Sequence, residues 1–166
     1  EEAVNRALRR YVEKYRFTVA PYPRSVDLIA FLRAEAQNPE QQALITDLFE
    51  RITLYDLKVE SPTAVKRRDG RWDVTVPVEA LKLYANGKGT EPEARLAENI
   101  EIGLFTAEPG WAGFDKSNVI RLQRQPIRSG KQVLKFVTDS KPSHAGIDPY
   151  NLYIDRNAWD NVLPVN

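Results

Sequence analysis

The sequence predicts an α+β fold in which helices come first and an antiparallel β-sandwich of immunoglobulin-like type follows. Apolar residues recur at helical spacing through residues 1–50, then at a period of two from about Ile52 onward. The turn dipeptides Asp69-Gly70, Asn86-Gly87 and Ser129-Gly130 punctuate the second part at intervals suited to short paired strands. Helical and strand patterns segregate rather than alternate, which argues against a parallel α/β sheet. The expected division is a helical segment over 1–50 and a β-sandwich with a C-terminal structural tail over 51–166.

The first helix is read from AVNRALRRYVEKY, where Val4, Ala7, Leu8, Tyr11, Val12 and Tyr15 form one amphipathic stripe. Pro21 and Pro23 forbid its continuation. Ser25 is placed to cap a second helix with Leu28, Ile29 and Leu32 on one face. Asn38 is the expected cap of a third, with Pro39 at its first position and Gln41 three residues after the cap. Its stripe is Leu44, Ile45, Leu48 and Phe49.

In the first strand, Tyr55, Leu57 and Val59 face one way, Asp56 and Lys58 the other. Asp69-Gly70 predicts a tight hairpin, after which Trp72, Val74, Val76 and Val78 alternate with polar positions. Pro77 inside that run favours an edge strand or a bulge, and the slip of apolar phase to Leu81 and Leu83 again favours a bulge. Ile100, Ile102 and Leu104 share a face of a further strand. Residues 118–139 read as a last hairpin turning at Ser129-Gly130, with Val133 and Val137 opposed to Leu134 and Phe136.

Composition narrows the function. A chain of 166 residues, 42% hydrophobic, is one domain's worth with a sizeable core. A net charge of +1 gives no argument for nucleic acid or an anionic membrane as partner. No window approaches the ~20 apolar residues of a transmembrane helix, and no signal peptide opens the chain. With no cysteine and a single histidine, His144, no conventional zinc site is expected. The opening Glu1-Glu2 and the absence of methionine read as a piece of something longer.

The tail HAGIDPYNLYIDRNAWDNV, 144–162, is the densest candidate for chemistry. Calcium takes about six to eight oxygen ligands. Asp148, Asp155 and Asp160 offer carboxylates for it, with Asn151, Asn157 and Asn161 as amide donors. The spacing lacks the EF-hand pattern. The favoured reading is structural: aspartates and asparagines form turns, while Tyr150, Asp155, Arg156 and Asn161 hold the tail to the end of the sandwich. His144 could enlist Ser140 or Ser143, but no G-x-S-x-G elbow surrounds either serine, so no nucleophile is expected. Lys66, Arg67, Arg68 and Arg71 read as a solvated hairpin tip rather than a phosphate site. Trp111 and Phe114 in GWAGF are either a contact loop or a plug for one end of the sandwich; the plug is favoured.

Several stretches carry a family resemblance: DLFERITLYD (47–56), DGRWDVTVPVEALK (69–82), IEIGLFT (100–106) and, most specifically, KPSHAGIDPYNLYIDRNAWDNV (141–162). They resemble the C-terminal region of bacterial proteins that fuse an ABC transporter permease to an aminopeptidase N-like zinc metallopeptidase. NRALRRYVEKYRF and PYPRSVDLIAFLR resemble the last helices of the peptidase portion. The resemblance implies a zinc enzyme built on H-E-x-x-H, with zinc in an upstream peptidase domain. This chain has no such motif, so none of the family's catalytic residues carries over, and neither a catalytic residue nor a cofactor is expected in it. The implied role is a non-catalytic accessory domain that scaffolds the peptidase or walls its substrate cleft. Its partners would be the upstream domain and peptide substrate, not nucleic acid. The membrane would be reached through other parts of the parent, on the extracytoplasmic face of a bacterial inner membrane. The alternative is a free-standing immunoglobulin-like module binding protein or glycan.

Overall fold

The structure, a computed structural model, describes all 166 residues. It has three helices and two antiparallel sheets, a mixed α+β chain that is mostly β. The chain divides into two compact units, Glu1–Ile52 and Thr53–Asn166.

The first unit holds α1 (Glu2–Tyr15), α2 (Ser25–Glu35) and α3 (Pro39–Phe49). Only half of the α1 stripe is used. Ala7 is fully buried, and Tyr11 and Tyr15 meet Phe31 of α2 edge-on at 5.8 and 6.2 Å. Glu35 receives Arg6 and Arg10 at 2.9 and 2.7 Å, which fixes the same pair of helices from the rim. Val4, Leu8 and Val12, one position round the helix, stay exposed. The α3 stripe divides likewise: Ile45 is buried, while Leu44, Leu48 and Phe49 are exposed. Asn38 caps α3 as expected, its Oδ1 accepting the Gln41 amide at 2.8 Å. Ser25 does not cap α2. Arg24 is the cap position, and Asp27 reaches back to accept the Arg24 amide at 2.7 Å. None of the helices is long and apolar enough to cross a membrane.

The second unit contains β1 (Ile52–Val59), β2 (Thr63–Lys66), β3 (Trp72–Ala85), β4 (Glu93–Ala94), β5 (Asn99–Phe105), β6 (Val119–Pro126), β7 (Gly130–Thr138), β8 (His144–Ile147) and β9 (Val162–Pro164). In the first sheet β3 is central. It pairs with β2 from Thr63↔Thr75 to Lys66↔Trp72 and, on its other side, with β7 from Trp72↔Thr138 to Ala80↔Gly130; β1 and β4 also pair with it. The second sheet runs β6-β5-β8-β9. One core lies between the inward faces: Leu57 and Val59, Val74, Val76 and Val78, Ile100, Ile102 and Leu104, and Ala145 and Ile147.

Three local expectations fail for nonlocal reasons. Residues 118–139 are not a hairpin, since β6 pairs with β5 and β7 pairs with β3 in the other sheet. Between them Ile127 is fully buried and donates its amide to Glu98 O at 2.9 Å, so the chain crosses through the core before Gly130. Pro77 sits in the central strand, not at an edge. Its carbonyl accepts the Glu60 amide at 2.9 Å, at the corner where β1 ends and β2 has not begun. A strand residue's two polar groups point the same way, so the missing Pro77 donor falls where the ladder is already broken. No bulge interrupts the β3–β7 register; Lys82 simply takes the next buried position after Ala80.

Candidate functional site

The tail is built around two carboxylates that serve backbone amides. After Ile147 the chain turns through Asp148 and Asn151, with φ of 45° and 52°, a region that short polar side chains tolerate. Asp148 is fully buried. Its two oxygens accept the Leu152 and Tyr153 amides, each at 3.0 Å, and its own amide donates to Glu101 O at 2.8 Å. Burial pushes its carboxyl pKa up, the two amides pull it down, and the nearby Asp155 and Glu101 charges push it up again.

Asp155 fastens the tail to β1. Its carboxylate accepts the Leu57 amide at 3.1 Å and the Asn157 amide at 3.0 Å, and burial again raises its pKa. Beside it, Tyr55 donates to Ile154 O and receives Arg156 N on its own carbonyl, both at 2.9 Å, in a parallel bridge. The Tyr153 ring meets Tyr55 at 4.7 Å, and burial raises its phenol pKa. Arg156 does not pair with Asp155; it pairs with Glu91 at 2.9 Å. The clamp is therefore Asp155 on the β1 backbone, with Arg156 on the loop before β4. Asn161 is buried and its carbonyl accepts the Ile147 amide at 2.9 Å. Further on, Asn166 exchanges two backbone hydrogen bonds with Pro62 and Ala64, each 3.0 Å.

Of the calcium candidates, Asp148 and Asp155 hold amides, and Asp160 accepts the Asn157 side-chain amide at 2.9 Å. No three acidic or histidine side chains converge in a way that would hold a metal ion. His144 Nδ1 lies 2.9 Å from the Ser143 hydroxyl, which also reaches Phe105 O at 3.3 Å. No carboxylate hydrogen bond orients the ring, so the triad geometry is incomplete. Ser140 contributes its carbonyl to the Thr138 hydroxyl instead.

The two residues of the GWAGF loop part company. Phe114 is half-buried against Phe105 at 5.6 Å, and Tyr150 approaches the same ring at 6.4 Å. Trp111 is 65% exposed. At the hairpin tip, Arg67 pairs with Asp69 and Asp73 at 3.4 and 3.2 Å, and Arg71 pairs with Asp69 at 2.9 Å. Gly70 has φ 88°, as the turn requires. Lys66 leans over the Trp72 ring at 5.9 Å. These are contacts within the hairpin.

Sequence reasoning missed Lys82. Its ammonium is buried and lies 2.5 Å from Glu98, with the Tyr84 ring 5.6 Å away. The signal was present: Lys82 continues the parity of Val78 and Ala80 where an apolar residue was due. Comparison with models of protein families, with curated proteins and with solved structures finds no match to this chain.

Proposed function

We propose that this chain is a non-catalytic accessory region whose helices dock against a further protein surface. The resemblance noted above makes that surface the peptidase domain of a membrane-tethered, aminopeptidase N-like zinc metallopeptidase at the extracytoplasmic face. On this reading the two sheets form an immunoglobulin-like sandwich that scaffolds the peptidase or walls its peptide cleft, and zinc belongs to that other domain. The observation that supports it is the bare apolar half of the helical unit: Val4, Leu8 and Val12 on α1, and Leu44, Leu48 and Phe49 on α3. A helix gains most of its stability by burying such a stripe, and these stripes are half unused.

Hydrogen exchange tests the reading. In the isolated monomeric chain, amides of α1–α3 should exchange far faster than those of β3 and β5. Equal protection would show that the bare face needs no partner. Chelator-sensitive aminopeptidase activity in the purified chain would equally overturn the accessory role. The second reading, a free-standing protein- or glycan-binding module, draws on exposed Trp111. It requires that Trp111→Ala abolish capture of that ligand while leaving the melt unchanged.

A further inference from the structure

The two sheets have two seams, and only one is closed. Along β1 and β2 the tail supplies backbone hydrogen bonds, at Tyr55 through Ile154 and Arg156, and at Pro62 and Ala64 through Asn166. Along the opposite side, β6 and β7 each pair on one edge only, with β5 and β3 respectively, and no backbone hydrogen bond joins them. The two edges differ: the 8-residue β6 shifts register opposite Leu104 and Phe105 and ends in Pro126, devices that protect an edge, whereas the 9-residue β7 runs without a shift from Gly130 to Thr138.

The open seam is also strongly polarised. Residues 119–138 contain five basic residues and no acidic one, in a chain whose net charge is +1. Arg124 approaches Glu101 at 3.6 Å, and Lys131 pairs with Glu60 at 2.5 Å. Arg121, Arg128 and Lys135 have no carboxylate partner. Between the edges lies a depression of about 600 Å³ lined by Arg121, Lys135, Phe136 and Val137 together with β3 residues. The Arg121 guanidinium stands 5.6 Å from the Phe136 ring, which holds a positive charge beside β7. Asp73, which also lines the depression, is held by Arg67 at 3.2 Å.

We propose that this seam docks an extended acidic peptide, which adds as a strand to the free edge of β7. Along β7, Lys131, Val133, Lys135 and Val137 alternate on the exposed face, basic then apolar. An added strand places its own i, i+2, i+4 side chains beside these, so the matching face alternates carboxylate and aliphatic residues. Backbone pairing supplies affinity and Lys135 and Arg121 supply sign. The same sign opposes a second copy of this edge, where Lys131 and Lys135 would face like charges. A nucleic acid would meet the charges but leave the unpaired backbone unused. The inference stands apart from the helical face of the proposed function.

Fluorescence anisotropy with a labelled Thr-Glu-Thr-Val-Thr-Glu-Thr-Val-Thr peptide tests it. The peptide should bind the full chain, more weakly when salt rises from about 25 to about 250 mM. Lys135→Glu, checked for an unchanged melt, should weaken binding about tenfold or more. The same peptide with alternate backbone amides N-methylated keeps its charge, loses the ladder, and should not bind; this arm needs no protein variant. No binding of the parent peptide, or equal binding of the N-methylated one, overturns the proposal. So does an oligothymidylate of matching charge that binds as tightly and is weakened by the same substitution.

Discussion

At the scale of the residue, the tail turns on what a partly or fully buried carboxylate does when its partners are amides rather than cations. Asp155 accepts two backbone donors, one from β1 and one from its own turn. Asp155→Ala leaves both without an acceptor, at a cost of about 1–3 kcal/mol. A lowered denaturation midpoint in urea checks this, and an unchanged midpoint would show that the parallel bridge at Tyr55 holds the tail unaided. Asp148 invites a pH experiment. Its native pKa is raised above the ordinary carboxylate value, so the folded state holds the proton more tightly than the unfolded chain. The stability this contributes is complete below the unfolded pKa and is lost as pH rises through the folded one. Asp148→Asn removes that titration. The stability gap between wild type and variant should therefore be wider at acid pH than near neutrality, and a gap that grows with pH would reverse the assignment.

At the scale of the element, β5 and β8 meet through glycine. Gly103 lies opposite Gly146, and the Phe105 ring folds back over Gly103. A Cβ on Gly103 would stand 2.1 Å from the Phe105 ring, and one on Gly146 would stand 2.8 Å from Val162. Gly103→Ala must displace a fully buried phenylalanine, and with it the Phe114 and Tyr150 contacts, so a loss of about 2 kcal/mol or more is expected. Chemical denaturation measures it; Gly70→Ala, with nothing within 4 Å, gauges what a glycine costs through backbone conformation alone. Alternation along single strands was legible beforehand. Leu57, Val74, Val76, Ile100 and Ile102 point inward as their spacing requires. Partnership was not. The Ser129-Gly130 turn looks the same in sequence whether the flanking strands pair or part, and only the burial of Ile127 separates the two cases. Helix faces were half legible, because a 3.6-residue stripe shows which residues are apolar but not which of them meet a neighbour.

At the scale of the whole molecule, the turns of the tail at Asp148 and Asn151 were readable from its density of turn-forming residues, but its means of attachment was not. Nothing in the spacing of Asp155 announces a bond to Leu57, almost a hundred positions earlier (|i−j| = 98). Because these carboxylates already serve amides, replacing EDTA by calcium should leave the melting midpoint where it is. A rise of several degrees would reveal a cation bound only by the native state. The order in which the second sheet is assembled bears on how the protein is made. β8 lies between β5 and β9, and its Ala145 and Ile147 complete the core. A ribosome delivers residues at roughly 5–20 per second. Until residues 144–166 have emerged, β5 keeps an unpaired edge and the core lacks Ala145 and Ile147. The nascent chain therefore passes through an interval in which it is long enough to collapse but cannot close, and in that interval it is most in need of a chaperone.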